Sequence, residues 1–141
     1  MDPMTGSAPE TMHIGELADK STLSQRAIRH YEEVGLLRPA GRSEGGFRLY
    51  THDDLMRLMV IRRMKPLGFS LEEMAEVLRI IDTLGNSDQT DQTVAEEPAE
   101  KVAAELDAFI AQAIERRATL QEHLALADEF VELLRQQRLP H

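Results

Sequence analysis

Apolar positions recur at helical spacing along most of this chain, and the breaks between runs fall at glycines, prolines and Ser/Thr residues. Ile14, Leu17 and Ala18 give one apolar side to a short helix over Ile14–Lys20. A tight turn follows at Lys20–Leu23. Ser24 is placed to cap the next helix, whose Ala27, Ile28, Tyr31 and Val34 face inward and which stops at Gly35. Two short helices joined by roughly four residues form a helix-turn-helix.

Leu36–Pro39 leaves that helix, and Arg42–Tyr50 (RSEGGFRLY) carries the Gly45-Gly46 turn of a small hairpin, anchored by Phe47, Leu49 and Tyr50. Thr51 and Asp54 have the spacing of a capping box and open a third helix, through Leu55, Leu58, Met59, Ile61 and Met64, that ends near Pro66 and Gly68. Ser70 and Glu73 form a second such pair. The fourth helix then buries Met74, Val77, Leu78 and Ile81. These four helices close one small core.

Residues 82–98 are polar and acidic without apolar periodicity and read as a linker. From Ala99 to Leu139 there is no glycine or proline, which predicts one long helix. Leu106, Ala113, Leu120, Ala127 and Leu134 recur every seven residues; Val102, Phe109 and Phe130 form a companion row, with Ile110, Leu124 and Val131 widening the stripe. A helix of roughly 40 residues spans about 60 Å, too long to bury that stripe against a small head. It needs a partner helix, most simply from a second copy. Arg116 and His123 interrupt the companion row and either set register in the seam or face solvent.

The fold expected is therefore all-α with a small β wing. Residues 1–11 form a disordered leader, 12–81 a winged helix-turn-helix head, 82–98 a linker and 99–139 a dimerisation helix.

Charge sharpens this division. The chain of 141 residues has a formal charge of −9, yet His13–Ser70 holds ten Lys/Arg against seven Asp/Glu, net +3, while Leu71–His141 holds six against sixteen, net −10. A mildly basic head on an acidic tail suits nucleic acid at one end only. No cysteine is present, which excludes disulfides and thiolate metal sites. The histidines (His13, His30, His52, His123, His141) lack metal-ligand spacing, and no apolar run reaches the roughly 20 residues of a membrane span. No nucleophile–base pattern or phosphate loop is visible, so neither an enzyme nor a bound cofactor is expected. The candidate DNA-contacting residues are Ser24, Gln25, Arg26, Arg29, His30 and Tyr31 on the second helix and Arg42, Arg48 and Tyr50 on the wing. Arginines at these places supply the long cationic donors that base edges and phosphates require.

The order IGELA, S-x-R-x-I-R-H-Y-E-E-x-G-L-L-x-P, GGFRLY and LGFSLEEMAEVL, from Met12 to Ile81, closely resembles the MerR family of bacterial transcriptional regulators. The resemblance implies a cytoplasmic homodimer joined by an antiparallel two-helix coiled coil. It further implies binding to pseudo-palindromic promoter DNA, which is bent and untwisted for use by RNA polymerase. Ser24, Arg26, Arg29 and Tyr31 match the recognition helix of the family, and Arg48 and Tyr50 its wing. His30 stands where a second tyrosine is common. Thr22 occupies a turn position where glycine is frequent, so the turn geometry must be reached without the freedom that glycine has at positive φ. Metal- and redox-sensing relatives use cysteines that this chain lacks; a small organic effector, a protein partner or no effector remain open. An architectural DNA-bending protein would use the same head, and a helical adaptor would use the acidic half alone.

Overall fold

The computed structural model describes residues 11–38, 41–86 and 99–140. The chain divides into two compact units, Met1–Arg79 and Ile80–His141. In the first, strand β1 (Thr11–Met12) precedes helices α1 (Ile14–Ser21) and α2 (Gln25–Glu33), strands β2 (Gly41–Arg42) and β3 (Arg48–Thr51), helix α3 (His52–Met64) and a single 3-10 turn at Lys65–Leu67. Helix α4 (Leu71–Asn86) begins in the first unit and ends in the second, where α5 (Ala99–Arg138) follows.

The caps read from the sequence form as hydrogen bonds. Ser24 Oγ accepts from the Ala27 N–H at 3.0 Å. Thr51 and Asp54 exchange both capping-box bonds, at 3.2 Å and 2.9 Å, and Ser70 and Glu73 do the same at 3.1 Å and 2.8 Å. Helix α2 ends in a Schellman arrangement, in which the Gly35 N–H donates to Glu32 O and the Leu36 N–H to Tyr31 O. Gly35, at φ 90°, supplies the left-handed step, and Leu36 then turns into the core.

That core contains Leu17, Ile28, Tyr31, Leu37, Tyr50, Leu58, Ile61, Met74 and Leu78, all essentially without solvent access. Two expected inward residues lie elsewhere. Val34 is 43% exposed because the Schellman turn begins there, and Ile81 is 43% exposed while Ile80 is fully buried.

The sheet differs from the expectation by one strand. β3 pairs antiparallel with β2 in the wing (Arg42 opposite Arg48) and, on its other edge, with β1 (Met12 opposite Tyr50). Thr11, placed by sequence in the leader, is therefore paired with Thr51; the other leader residues lie outside the described residues. A two-residue strand carries no alternation to detect. Helix α4 also continues to Asn86, through the first five residues of the expected linker; the remainder of that linker lies outside the described residues.

Helix α5 is continuous for 40 residues, as the absence of interior glycine and proline allows. Along its stripe, Val102 is fully buried, Leu106, Phe109 and Ala113 are half-buried, and every residue from Arg117 to Pro140 is exposed. Leu120, Leu124, Phe130 and Leu134 are thus apolar side chains open to solvent in the single chain. Val102, expected on the seam, has its side chain already enclosed within one copy. No helix among the described residues is long and apolar enough to cross a membrane.

Candidate nucleic-acid interface

Helix α2 owes its position to its two ends. At the front, Thr22 closes α1 in the left-handed conformation, φ 61° and ψ 23°, and is the one described non-glycine residue with positive φ. The turn thus takes the conformation that glycine would adopt easily. A β-branched residue is held there at a steric cost. Arg62 of α3 reaches across to hold it, donating through Nη1 to the Ser21 carbonyl at 3.1 Å and to Thr22 Oγ1. At the far end, Arg57 Nε donates to the Leu36 carbonyl at 3.4 Å. Arg57 and Arg62, about 1.4 turns apart on α3, thus clamp the backbone on either side of α2.

With Ile28 and Tyr31 in the core, α2 turns Gln25, Arg26, Arg29 and His30 to solvent. Arg29 Nη2 donates to Gln25 Oε1 at 3.3 Å, which aligns the two side chains along the exposed face. Ser24 is exposed at the helix start, its hydroxyl engaged as the cap.

The wing is set by its own turn. The Ser43 N–H donates to Phe47 O at 2.7 Å, Ser43 Oγ accepts from the Phe47 N–H at 3.2 Å, and Gly46 takes φ 87°. Arg42 Nη1 donates to the Gly46 carbonyl at 2.8 Å, so its guanidinium lies over that turn. Arg48 Nε pairs with Glu32 Oε2 at 3.2 Å, while Tyr50 Oη donates to Glu32 Oε1 at 2.8 Å. One carboxylate on α2 therefore holds two wing residues. Burial first, then the Glu32 carboxylate, pushes the Tyr50 phenol up to about 12, so it stays a neutral donor throughout the physiological range.

Helix and wing meet at a hollow of about 200 Å³ lined by His13, Ile14, Arg29, Arg42, Gly46, Phe47, Arg48 and Tyr50. Three of the arginines expected to contact DNA, from three separate elements, are brought together here. Arg26 and His30 lie outside it on the exposed face of α2. The two tyrosines differ from the rest, because Tyr31 and Tyr50 are 3% and 0% exposed and their rings belong to the core. Phe47 departs from its expected role as a wing anchor, being 65% exposed. His13, which the sequence had not singled out, precedes α1 and stacks on the Phe47 ring with centroids 5.7 Å apart.

A face with this composition suits polyanion binding: each guanidinium offers five N–H donors, of which the internal bonds described occupy a minority. Comparison with known proteins agrees. Residues 12–80 match the family described as MerR HTH family regulatory protein, and residues 55–123 the family described as MerR, DNA binding. The chain is similar to an HTH-type transcriptional regulator of Pseudomonas aeruginosa, 52% identical over 69 residues that make up 49% of this chain and 52% of that protein. It is also similar to the HTH-type transcriptional regulator ZntR of Escherichia coli K12, 42% identical over 94 residues, 66% of this chain and 67% of that protein. The match thus spans about half the length of the first relative and two thirds of the second. A solved MerR-family transcriptional regulator from Bacillus cereus superposes with a TM-score of 0.55 at 29% identity, over 94% of this chain and 88% of that one. With the motifs, the clamped helix-turn-helix and these likenesses in agreement, the chain belongs to the MerR family of helix-turn-helix transcriptional regulators.

Proposed function

We propose that this chain is a homodimeric, sequence-specific DNA-binding regulator that binds pseudo-palindromic promoter DNA and distorts it to control initiation by RNA polymerase. The observation that carries the reading is the convergence of Arg29 from α2 with Arg42 and Arg48 from the wing on one hollow. Gln25, Arg26 and His30, exposed and outside that hollow, read base edges from the major groove. Arg29, Arg42 and Arg48 hold phosphates beside it. Ser24 caps the reading helix, and Tyr31 and Tyr50 support it from the core.

A second copy covers the stripe of Leu106, Phe109, Ala113, Leu120, Leu124, Ala127, Phe130 and Leu134 in an antiparallel helix pair. Pairing fixes the separation of the two heads and so the spacing of half-sites. Contacts from both heads offset the deformation of the duplex, which for a moderate bend costs about 1–6 kcal/mol. No cysteine occurs in the chain, so a thiolate metal or redox sensor forms no part of this reading.

The test is duplex binding measured across salt. Phosphate-gripping heads give a log–log slope of about −0.9 for each phosphate neutralised. A helical adaptor that works through its acidic half gives no salt-dependent association with DNA.

A further inference from the structure

Helix α5 is acidic overall, yet it sorts its charges by row. In a paired helix, four rows of every seven face or flank the partner and three point away. Between Leu106 and Leu134 the six carboxylates, Asp107, Glu115, Glu122, Asp128, Glu129 and Glu132, all fall on the three outer rows. The same stretch has three basic residues, Arg116, Arg117 and His123, and all of them fall on the inner four. Outer carboxylates are the ordinary solvated face of a helix. Bases confined to the seam side of an acidic helix are not.

Arg116 is half-buried, and its Nη2 donates to Gln112 Oε1 at 3.3 Å, which lays the guanidinium along an inner row. Arg117 and His123 are exposed in the single chain. In an antiparallel pair centred on the apolar stripe, near Leu120, the three bases of both copies share about 16 Å of helix length. Over that stretch the inner rows of the partner offer no carboxylate to balance them. Like charges crowded into a partly dry seam repel more strongly than in water. Ala113 and Ala127, one turn outside the set on the core row, leave room where leucine would close the seam. We propose that the middle of the helix pair is a binding site for a small organic anion carrying two or more negative charges, held by Arg116, Arg117 and His123 of both copies. The site rests on the antiparallel pair of the proposed function. Guanidinium forks suit clustered oxyanions, and the imidazole adds a further N–H donor. Because the ligand needs both copies, it binds the pair and not the single chain, so its concentration sets how firmly the two heads are joined.

The experiment measures dimer association of the full chain by sedimentation equilibrium, in chloride and in pyrophosphate or citrate at matched ionic strength. Matching removes the screening that any salt supplies. The expected result is an association constant that rises with the concentration of the multivalent anion, about a hundredfold at a hundred times its dissociation constant. Arg116→Gln and His123→Gln each weaken that response. Arg116→Leu, which completes the apolar row, tightens the pair in chloride and abolishes most of the response, so loss of the response is not mistaken for loss of the pair.

A response to pyrophosphate alone assigns the site to phosphate ligands, and a response to citrate alone to carboxylates; either supports it. A wild-type dimer indifferent to both anions overturns the proposal. So does a response that survives in the Arg116→Gln/His123→Gln double variant, because it would then belong to the arginines of the head. A chain that stays monomeric in every buffer would instead remove the helix pair on which the site rests, a result distinct from an anion-indifferent dimer.

Discussion

Tyr50 and Glu32, eighteen residues apart in sequence, are joined by a 2.8 Å hydrogen bond from the phenol to carboxylate Oε1. The bond ties the wing strand to the recognition helix, and the other oxygen of the same carboxylate holds Arg48 at 3.2 Å. The angle between wing and helix therefore depends on one side chain at the end of α2.

Removing the donor should be felt as stability. Tyr50→Phe keeps the buried ring and deletes the bond, which is expected to cost about 1–2 kcal/mol. The wild-type phenol is held at about 12 against 10.0 when unfolded, so the folded chain keeps this proton longer. Its contribution is complete below pH 10 and is lost as pH rises from 10 toward 12. Urea midpoints taken across that window should fall more for the wild type than for Tyr50→Phe.

Glu32→Gln separates positioning from simple charge. Taking a negative charge out of a DNA-binding face would by electrostatics alone strengthen binding. If Glu32 acts by aiming Arg48 and fixing the wing, affinity should instead fall, by about 1 kcal/mol for one weakened charge-assisted contact. Fluorescence anisotropy on one duplex decides between these signs, and tighter binding by the variant would show that the wing needs no such clamp.

Thr22 offers a test of backbone strain. Thr22→Val keeps the β-branched shape in the left-handed region and removes the oxygen that accepts from Arg62, so it should lose about 1 kcal/mol. Thr22→Gly also removes that oxygen but releases strain of about 1–2 kcal/mol. The glycine variant should therefore be the more stable of the two, although it deletes more atoms. Thermal denaturation of the pair gives the order directly.

The helices were legible in the sequence because their determinants are local. Ser24, the Thr51/Asp54 pair and the Ser70/Glu73 pair each announce a helix start within four residues, and all three form as read. What escaped depends on distant partners. The strand at Thr11 exists because β3 offers it an edge, and Thr22 turns left-handed under the guanidinium of Arg62, forty residues away. The sites divide the same way. Exposure of Gln25, Arg26, Arg29 and His30 follows from helical phase once Ile28 and Tyr31 are buried. Tyr50 is buried, as an anchor of the wing should be, whereas the exposure of Phe47 follows from which face of the wing meets the core, which the alternation of so short a strand does not fix.

Arg26 and Arg29 should behave differently when each is replaced by alanine. Arg26, on the open face, is expected to lower affinity for the selected site by about 1–3 kcal/mol with little effect on scrambled duplex. Arg29, within the hollow, should weaken both alike and reduce the salt slope by about one. The ratio of specific to non-specific affinity distinguishes them.

The stripe on α5 separates into two classes. Leu124→Asp, in the part exposed within one chain, should leave the head folded and shift the chain toward monomer, since each buried leucine contributes about 1.5–3 kcal/mol to such a seam. Val102→Ala, fully buried already, should lower the stability of the chain by about 1–2 kcal/mol without a comparable change in association. Sedimentation equilibrium and thermal denaturation read the two effects separately.

The most direct test of a dimeric reader of DNA is selection of bound fragments from a random duplex pool by the purified chain, with its association state measured at the same concentration. A two-fold-symmetric site with one fixed half-site spacing is the expected result, the spacing being set by the helix pair that joins the heads. A folded dimer that enriches no sequence would contradict the account.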